Sequence, residues 1–300
     1  MTLRQIKYAI TIANTCSMNE AAKKLFISQP SLTSAIKELE EEIHMSIFTR
    51  TTKGVIVTSE GEEFLGYARQ ILGQVELLEA KYLNKNRKQK FGVSTQHYSF
   101  AVKAFVEMAK GFDMNDYEFA IRETRTFDVL NDVQSGRSEI GILFINDFNG
   151  KIIMKLLKDK NLKFQKLITC SAYVYLWKGH PLAEKDIISL EDLQAFPCMS
   201  FEQGDNNSFY FAEEILSTYE YKKTIKVNDR ATMLNLMVGL NGYTLCSGII
   251  CEELNGGDYK AIPLDTEEVM DIGYVTLKDT ILSEIGMKYI EELGKYMRSL

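Results

Sequence analysis

A chain of 300 residues exceeds what one compact core usually holds, so two or three domains are expected, and 45 % apolar content is ample to bury them. No run of about 18 uncharged apolar residues exists, and the N-terminal MTLRQIKYAITIANTCSMNEAA carries Arg4 and Lys7 ahead of a polar segment, unlike a cleavable signal, so a soluble, cytoplasmic chain with no membrane partner is expected. The net charge of −6 argues against nucleic acid, but residues 1–90 hold 13 Lys and Arg against 10 Asp and Glu and the remainder 22 against 31, and phosphate affinity depends on the face presented rather than on the sum.

The head reads as short helices. LRQIKYAITIAN puts Leu3, Ile6, Ile10 and Ala13 on one face at helical spacing. Ser17-Met18-Asn19-Glu20 has the form of a capping box, so a second helix starts there and runs through EAAKKL. The third helix, in SQPSLTSAIKELEEEI, carries Leu32, Ala35, Ile36, Leu39 and Ile43 as its inward stripe. Pro30 sits in its first turn, where a missing N–H costs nothing because that donor has no partner inside the helix, and Ser28 or Gln29 is the cap. Outward remain Gln29, Ser31, Thr33, Ser34 and Lys37, polar groups near a helix N-terminus, which favours phosphate. Glu40-Glu41-Glu42 reads as a solvated face.

FTRTTKGVIVTSEG, with β-branched residues around Lys53-Gly54, predicts a small hairpin, after which Thr58 caps a long helix. Phe64, Ala68, Ile71, Val75, Leu78 and Tyr82 recur at spacings of four and three, the seam of a coiled coil. That helix reaches about residue 86, roughly 42 Å, and so narrow a stripe calls for a partner helix, most simply from a second copy. NKNRKQK, residues 84–90, reads as a hinge.

Beyond it strands and helices alternate: KFGVST, SFAVKAFVEMAKGF, YEFAIRE, FDVLNDVQSG and EIGILFI. Such alternation implies a parallel sheet covered on both faces. A second set follows, with strands in KFQKLIT, AYVYLW, CMSF, KTIKV, YTLCS and YKAIPL and helices in SFYFAEEILSTY and RATMLNLMVGL. VMDIGYVTL and the helix in SEIGMKYIEELGKYM return to the first sheet, giving two α/β lobes joined by crossings near residues 161–166 and 263–269, with a cleft between them. The expected domains are 1–58, a helix over 59–87, and a body over 88–300 whose first lobe is 88–163 with 267–300 and whose second is 164–266.

Cys16, Cys170, Cys198, Cys246 and Cys251 are odd in number and lack CxxC spacing, so reduced, mostly buried thiols are expected rather than a metal or disulfide site. His44, His97 and His180 form no HExxH, and GLNGYT lacks the full dinucleotide fingerprint, so no metal and no cofactor is expected. Phe209, Tyr210 and Phe211 open an amphipathic helix and read as core rather than as a stacking platform.

AAKKLFISQPSLTSAIKELEEEI followed by IFTRTTKGVIVTSEGEEFLGYARQIL resembles the helix-turn-helix, wing and linker helix of the LysR-type transcriptional regulators, in order and spacing, and SGRSEIGILF, GHPLA and LMVGLNGYTL are similar to that family's effector-binding lobes. VSTQHYSFAVKAFV, FEQGDNNSFYFAEEIL and DRATMLNLMVGLNGYT look like a Gram-positive subgroup tied to sulfur amino acid or methionine uptake. The resemblance implies an α/β multidomain fold: an N-terminal winged helix-turn-helix, a long linker helix and a two-lobed, periplasmic-binding-protein-like effector domain. It implies double-stranded promoter DNA and a small-molecule effector as partners, a homodimer or homotetramer, and RNA polymerase as a further candidate partner. Carried over position by position, it puts Gln29, Pro30, Ser31, Thr33, Ser34 and Lys37 at DNA from the recognition helix, with Arg50, Thr51 and Lys53 on or beside the wing. Gln29 has the chemistry to address an adenine edge, whereas Ser31, Thr33, Arg50 and Lys53 suit phosphates. Ser34 stands where many relatives carry a longer side chain, and His44 replaces a glycine usual after the third helix, as either a turn residue or a pH sensor.

Effector contacts are expected where strands end. Ser94, Thr95, Gln96 and His97 follow the first strand of the first lobe, where Ser94 or Thr95 caps the next helix and the donors suit a small anion. Thr124 and Arg125 follow the second strand, Arg125 either clamping an anion or pointing to solvent, with Thr126 as a cap. Phe201, Gln203, Asn206 and Asn207 belong to an amide-rich loop fit for an amino acid or similar ligand, or to an ordinary turn. An enzyme is the rival class, yet no nucleophile, base and orienter assemble from these residues, and a solute-binding protein of transport is disfavoured by the head.

Overall fold

The computed structural model describes residues 1–51, 54–83, 89–112 and 117–296, the side chains at 76, 77, 80, 81, 83 and 255 excepted. The described residues fall into two compact units, one running from residue 1 through the long helix and including Gln134–Arg137, the other made of Gln89–Val133 and the residues from Ser138 onward.

The first unit opens with α1 (Leu3–Thr15), α2 (Met18–Leu25) and α3 (Gln29–Ile43). Each starts on a hydroxyl cap: Thr2 accepts the Gln5 N–H, Ser17 that of Glu20 and Ser28 that of Ser31, satisfying donors the first turn leaves without partners. Each ends on a left-handed residue, Cys16, Phe26 and His44, with φ of 51, 56 and 54°. His44 is therefore the turn residue, donating its N–H to the Glu40 and Glu41 carbonyls. The capping box at Ser17 is only half made, because the Glu20 carboxylate receives Lys23 at 2.8 Å instead.

Ala9 and Ile12 of α1 meet Ala21, Ala22, Leu32, Ile36 and Leu39 in one core, and Ile6 is buried as well. The line through Leu3 is thereby corrected: Leu3 is exposed, since α2 and α3 cover the neighbouring face. A hairpin of β1 (Phe48–Thr51) and β2 (Gly54–Val57) docks on this core, Val55 donating to the Cys16 carbonyl at 2.9 Å. Gly54 has φ 133°, and a Cβ there would stand 2.7 Å from that carbonyl oxygen. Glu40, expected on a solvated face, is half-buried and its Oε1 accepts the Ile47 and Phe48 N–H groups at 2.7 and 3.0 Å, tying the entry of the hairpin to α3. α4 (Ser59–Leu83) begins at Thr58, whose Oγ1 accepts the Gly61 N–H at 2.9 Å. Along the expected seam Ala68 is buried and Phe64 and Val75 are half-buried, whereas Ile71, Leu78 and Tyr82 stand exposed. Of the hinge read at 84–90, residues 84–88 lie outside the described residues.

In the second unit β3 (Gln89–Thr95), α5 (Ser99–Lys110), β4 (Tyr117–Glu123), α6 (Thr126–Gln134), β5 (Ile140–Ile145), α7 (Gly150–Asp159) and β6 (Leu162–Ser171) alternate. α7 adds to the predicted set and buries Ile153 and Leu157. The second lobe holds β7 (Tyr173–Trp177), α8 (Leu190–Leu193), β8 (Cys198–Phe201), β9 (Thr224–Val227), α9 (Arg230–Leu240), β10 (Thr244–Cys246), α10 (Glu252–Asn255) and β11 (Tyr259–Pro263), after which β12 (Val269–Leu277) and α11 (Glu284–Tyr296) return. The first sheet has the order β4-β3-β5-β12-β6, with β3, β4 and β5 parallel and β12 antiparallel to both its neighbours.

β6 differs from the expectation that it opens the second lobe. It pairs with β12 throughout, from Leu162 opposite Leu277 to Ser171 opposite Val269, so the first crossing falls at Ala172. Without it β12 would present a long unpaired edge. In the second lobe β10-β7-β11 is antiparallel, and the parallel β8-β9 pair joins it where Cys198 lies opposite Tyr243. The helix expected in SFYFAEEILSTY does not form: residues Phe209–Phe211 make one 3-10 turn, Phe209 is exposed, and Glu213 and Glu214 are drawn inward to partners outside the segment.

Candidate functional site

Between β3 and α5 lie Gln96, His97 and Tyr98. Ser94, Thr95 and Gln96 are wholly buried and their polar atoms are used inside the first lobe. Neither Ser94 nor Thr95 caps α5, which starts at Ser99 behind Tyr98 with no side-chain cap. Ser94 Oγ donates to Asp132 of α6 at 2.6 Å and meets Ser138 Oγ at 2.8 Å, while Thr95 Oγ1 donates to the Gln96 carbonyl at 2.8 Å. Gln96 donates to Thr126 Oγ1 at 2.6 Å and accepts from the Tyr98 hydroxyl and the Phe144 N–H at 3.0 and 3.1 Å.

From this floor a chain of hydrogen bonds crosses to the second lobe. Thr126, inside α6 rather than capping it, donates its N–H to Gln203 Oε1 at 3.1 Å and its hydroxyl to the Phe211 carbonyl at 2.8 Å. Gln203 Nε2 donates to Glu213 Oε1 at 2.9 Å, and Glu213 Oε2 accepts the His97 N–H at 2.9 Å and lies 2.8 Å from His97 Nδ1. The His97 ring stacks on Phe201 at 3.6 Å between centroids and 6° between planes. Arg230, at the start of α9, pairs with Glu123 at the end of β4. The Arg125 guanidinium lies over Gly204, where φ is 58° and no space for a Cβ remains. Thr124 gives its N–H to the Thr95 carbonyl at 2.9 Å. Asn207 is exposed and Asn206 half-buried at the rim of this loop.

The two lobes enclose a cavity of about 80 Å³. Its polar lining includes His97, Glu213, Glu214, Arg230, Thr244 and Ser247; its apolar lining includes Tyr175, Phe201, Met233 and Ile250. Burial, and after it the neighbouring Glu213 carboxylate, pushes Glu214 up to about 8, against the pull of the Phe201 N–H that it accepts at 2.8 Å. Burial holds the Tyr98 hydroxyl well above the usual phenol range. Of the sequence candidates, His97 and Phe201 reach the cavity wall, and Gln96 and Gln203 stand behind it. Sequence reasoning missed Glu213, Glu214, Arg230 and Thr244; two adjacent acids inside the apolar run FYFAEEIL were the available signal.

Among the described residues no group of His, Cys, Asp and Glu gathers as a metal site. The cysteines are all free, and only Cys16 is exposed. Burial pushes Cys170 up to about 11 and Cys198 and Cys246 up to about 12, which keeps these thiols protonated and unreactive at neutral pH.

On the head, Pro30, Ser31, Ser34 and Lys37 are exposed and Gln29 and Thr33 half-buried along the outer face of α3. Gln29 Nε2 donates to Thr33 Oγ1 at 3.0 Å, Ser34 to Glu38 at 3.2 Å, and Lys37 pairs with Glu41 at 3.4 Å. Arg50 and Thr51 are exposed on β1, and Lys53 lies outside the described residues.

A three-helix head with a hairpin wing and a polar outer helix face, together with a body of two α/β lobes closed on a small cavity, defines the class of ligand-responsive DNA-binding regulators. Residues 3–62 match the bacterial regulatory helix-turn-helix of the lysR family, and residues 113–296 match the LysR substrate binding domain. The chain belongs to the LysR family: it is a DNA-binding transcriptional regulator with an effector-binding domain. It is 25 % identical over 293 residues to the uncharacterized HTH-type transcriptional regulator YbhD of Escherichia coli K12, covering 96 % of this chain and 89 % of that one. To BsdA of Bacillus subtilis 168, another HTH-type transcriptional regulator, it is 26 % identical over 250 residues, 79 % and 80 % of the two chains. In fold it is similar to a full-length, singly substituted OxyR from Pseudomonas aeruginosa, with a TM-score of 0.65 at 17 % identity over 100 % of this chain and 95 % of that one. No helix among the described residues is long and apolar enough to cross a membrane.

Proposed function

We propose that this regulator acts in the cytoplasm, is not an enzyme, and answers to a small molecule held between the two lobes of its body, with genes of amino acid or sulfur metabolism as targets. The observation that carries the reading is the chain of hydrogen bonds Gln96–Thr126–Gln203–Glu213–His97, which spans both lobes beside the cavity. A ligand there contacts groups whose partners change when the lobes move, and only such differential contact shifts an equilibrium between arrangements. His97 and Phe201 act nearest the ligand, Gln203 backs them through Glu213, Ser94, Thr95, Gln96 and Thr124 shape the floor, and Arg125, Asn206 and Asn207 guard the rim.

Residues 1–58 are the DNA-reading part, 59–87 the dimerising helix and the remainder the effector domain. Gln29 addresses an adenine edge, while Ser31, Thr33, Arg50 and Lys53 hold phosphates and Pro30, Ser34, Lys37 and Thr51 complete the contact face. The exposed Ile71, Leu78 and Tyr82 of α4 support pairing with a second copy, into a homodimer or homotetramer, from which RNA polymerase is contacted. The test is competition between the protein's own upstream DNA and random duplex at several salt concentrations, with and without amino acids and sulfur metabolites. Preference for its own DNA that one of these compounds alters is expected; equal binding to both duplexes at moderate salt overturns the reading.

A further inference from the structure

Resting on the reading that the cleft takes the effector, we propose that the effector carries a protonated amine, held by the adjacent carboxylates of Glu213 and Glu214 while an apolar body packs on Tyr175, Met233 and Ile250. The balance of charge around the cavity is the first reason. Two carboxylates line it, and the lining guanidinium of Arg230 is already matched by Glu123. An anion would enter beside two acidic side chains in a poorly hydrated space, with the lining guanidinium already engaged, whereas an ammonium is matched by Glu213 and draws the proton off Glu214.

The second reason is that the position an anion would favour is filled. Glu213 sits at the N-terminal approach to α5 and accepts the His97 N–H, as an anionic ligand otherwise would. The third is an unanswered hydroxyl. Thr244, only 6 % exposed, lines the same cavity, and its Oγ1 has no hydrogen-bond partner among the described residues. Buried polar groups are rarely left so, and a hydroxyl oxygen accepts an ammonium N–H. The rings of Tyr175 and Phe201, the latter stacked on His97, add aromatic surface to the wall. Size is the fourth reason: about 80 Å³, at 10–15 Å³ for each enclosed water on the same measure, accommodates roughly five to eight non-hydrogen atoms. The raised proton affinity of Glu214 is in keeping with a carboxyl short of a cationic partner.

The test compares three probes of one size on the full-length chain by thermal shift at matched ionic strength: n-butylammonium chloride, sodium n-butyrate and n-butanol. A saturable rise in Tm with n-butylammonium alone is expected. E214Q, which keeps the acceptor for the Phe201 N–H, and T244V each weaken that response about tenfold or more, whereas E220Q, an exposed acid outside the cavity, leaves it unchanged. No response to n-butylammonium, an equal response to butyrate or butanol, or a response untouched in both E214Q and T244V overturns the amine. The reading of the cleft fails separately. A butyrate or butanol response abolished by T244V removes the amine and keeps the cleft, whereas a metabolite that alters promoter binding equally in wild type, E214Q and T244V removes both.

Discussion

One oxygen of Glu213, Oε2, takes both the backbone N–H of His97 at 2.9 Å and its ring Nδ1 at 2.8 Å, across 116 positions of sequence. Because the backbone N–H and the ring nitrogen converge on a carboxylate oxygen, which accepts, Nδ1 presents a proton to it. Stacking on Phe201 fixes the plane of the ring, so the pair latches the β3–α5 turn to the second lobe.

Glu213→Ala strips Gln203 Nε2 and the His97 N–H of their acceptor in a buried setting. A loss of about 2–5 kcal/mol in urea unfolding of the full chain is expected, with Glu213→Gln costing less because one acceptor oxygen remains. A loss below about 1 kcal/mol, the scale of an exposed pair, would show that the latch does not hold the lobes.

Glu214 gives stability a pH dependence of defined sign. Its folded value of about 8 lies above the ordinary 4.5, so between these limits the folded state keeps a proton that the unfolded chain has lost. Stability therefore falls as pH rises from about 5 to 8, by at most about 1.4 kcal/mol per unit from this group, and the contribution levels off above 8. E214Q flattens that slope; equal slopes in wild type and E214Q between pH 5 and 8 refute the assignment.

Gln29→Ala should cost about 1–3 kcal/mol on promoter DNA and little on random duplex, whereas Lys37→Ala should weaken both and reduce the salt slope by about 1. Fluorescence anisotropy over a salt series separates the two effects. Lys37 is held by Glu41 at 3.4 Å at an exposed site, a pairing weak enough to be exchanged for a phosphate.

Gly54→Ala combines a φ of 133° with a Cβ 2.7 Å from the Cys16 carbonyl oxygen, a backbone atom that cannot turn aside. The hairpin should lift from α1 at a cost of about 2–4 kcal/mol. Faster hydrogen exchange at Val55, whose N–H bonds that same carbonyl, is the direct readout, and an unchanged rate would show that the hairpin docks by other means.

Much of the head was legible because local chemistry decides it: Ser28 caps, Pro30 occupies the first turn, and Leu32, Ile36 and Leu39 recur on one face. Alternation of strands and helices likewise announced the first lobe. The failures share one cause, partners far away in sequence. Periodicity cannot tell that Glu40 is bound to the start of a hairpin, or that β6 completes the edge of β12 rather than starting a new sheet. The acids at 213 and 214 fell inside a segment expected to be helical, yet Gln203, His97 and the Phe201 N–H draw them inside. Gln96 was visible as a polar residue at a strand end, but its occupation by Thr126, Tyr98 and Phe144 was not.

The passage from β6 to β7 at Ala172 has a mechanical meaning. Ala172 is 1 % exposed and its carbonyl accepts the N–H of Leu264, in the segment that leads from β11 back to β12, at 3.0 Å. Outgoing and returning segments are thus stitched together at the point where slack would be needed for wide gaping. A joint held there resists separation of the two segments more than rotation about them. On the proposed reading of the cleft, an occupant of the cavity is a wedge on a torsion bar, and its message is an angle.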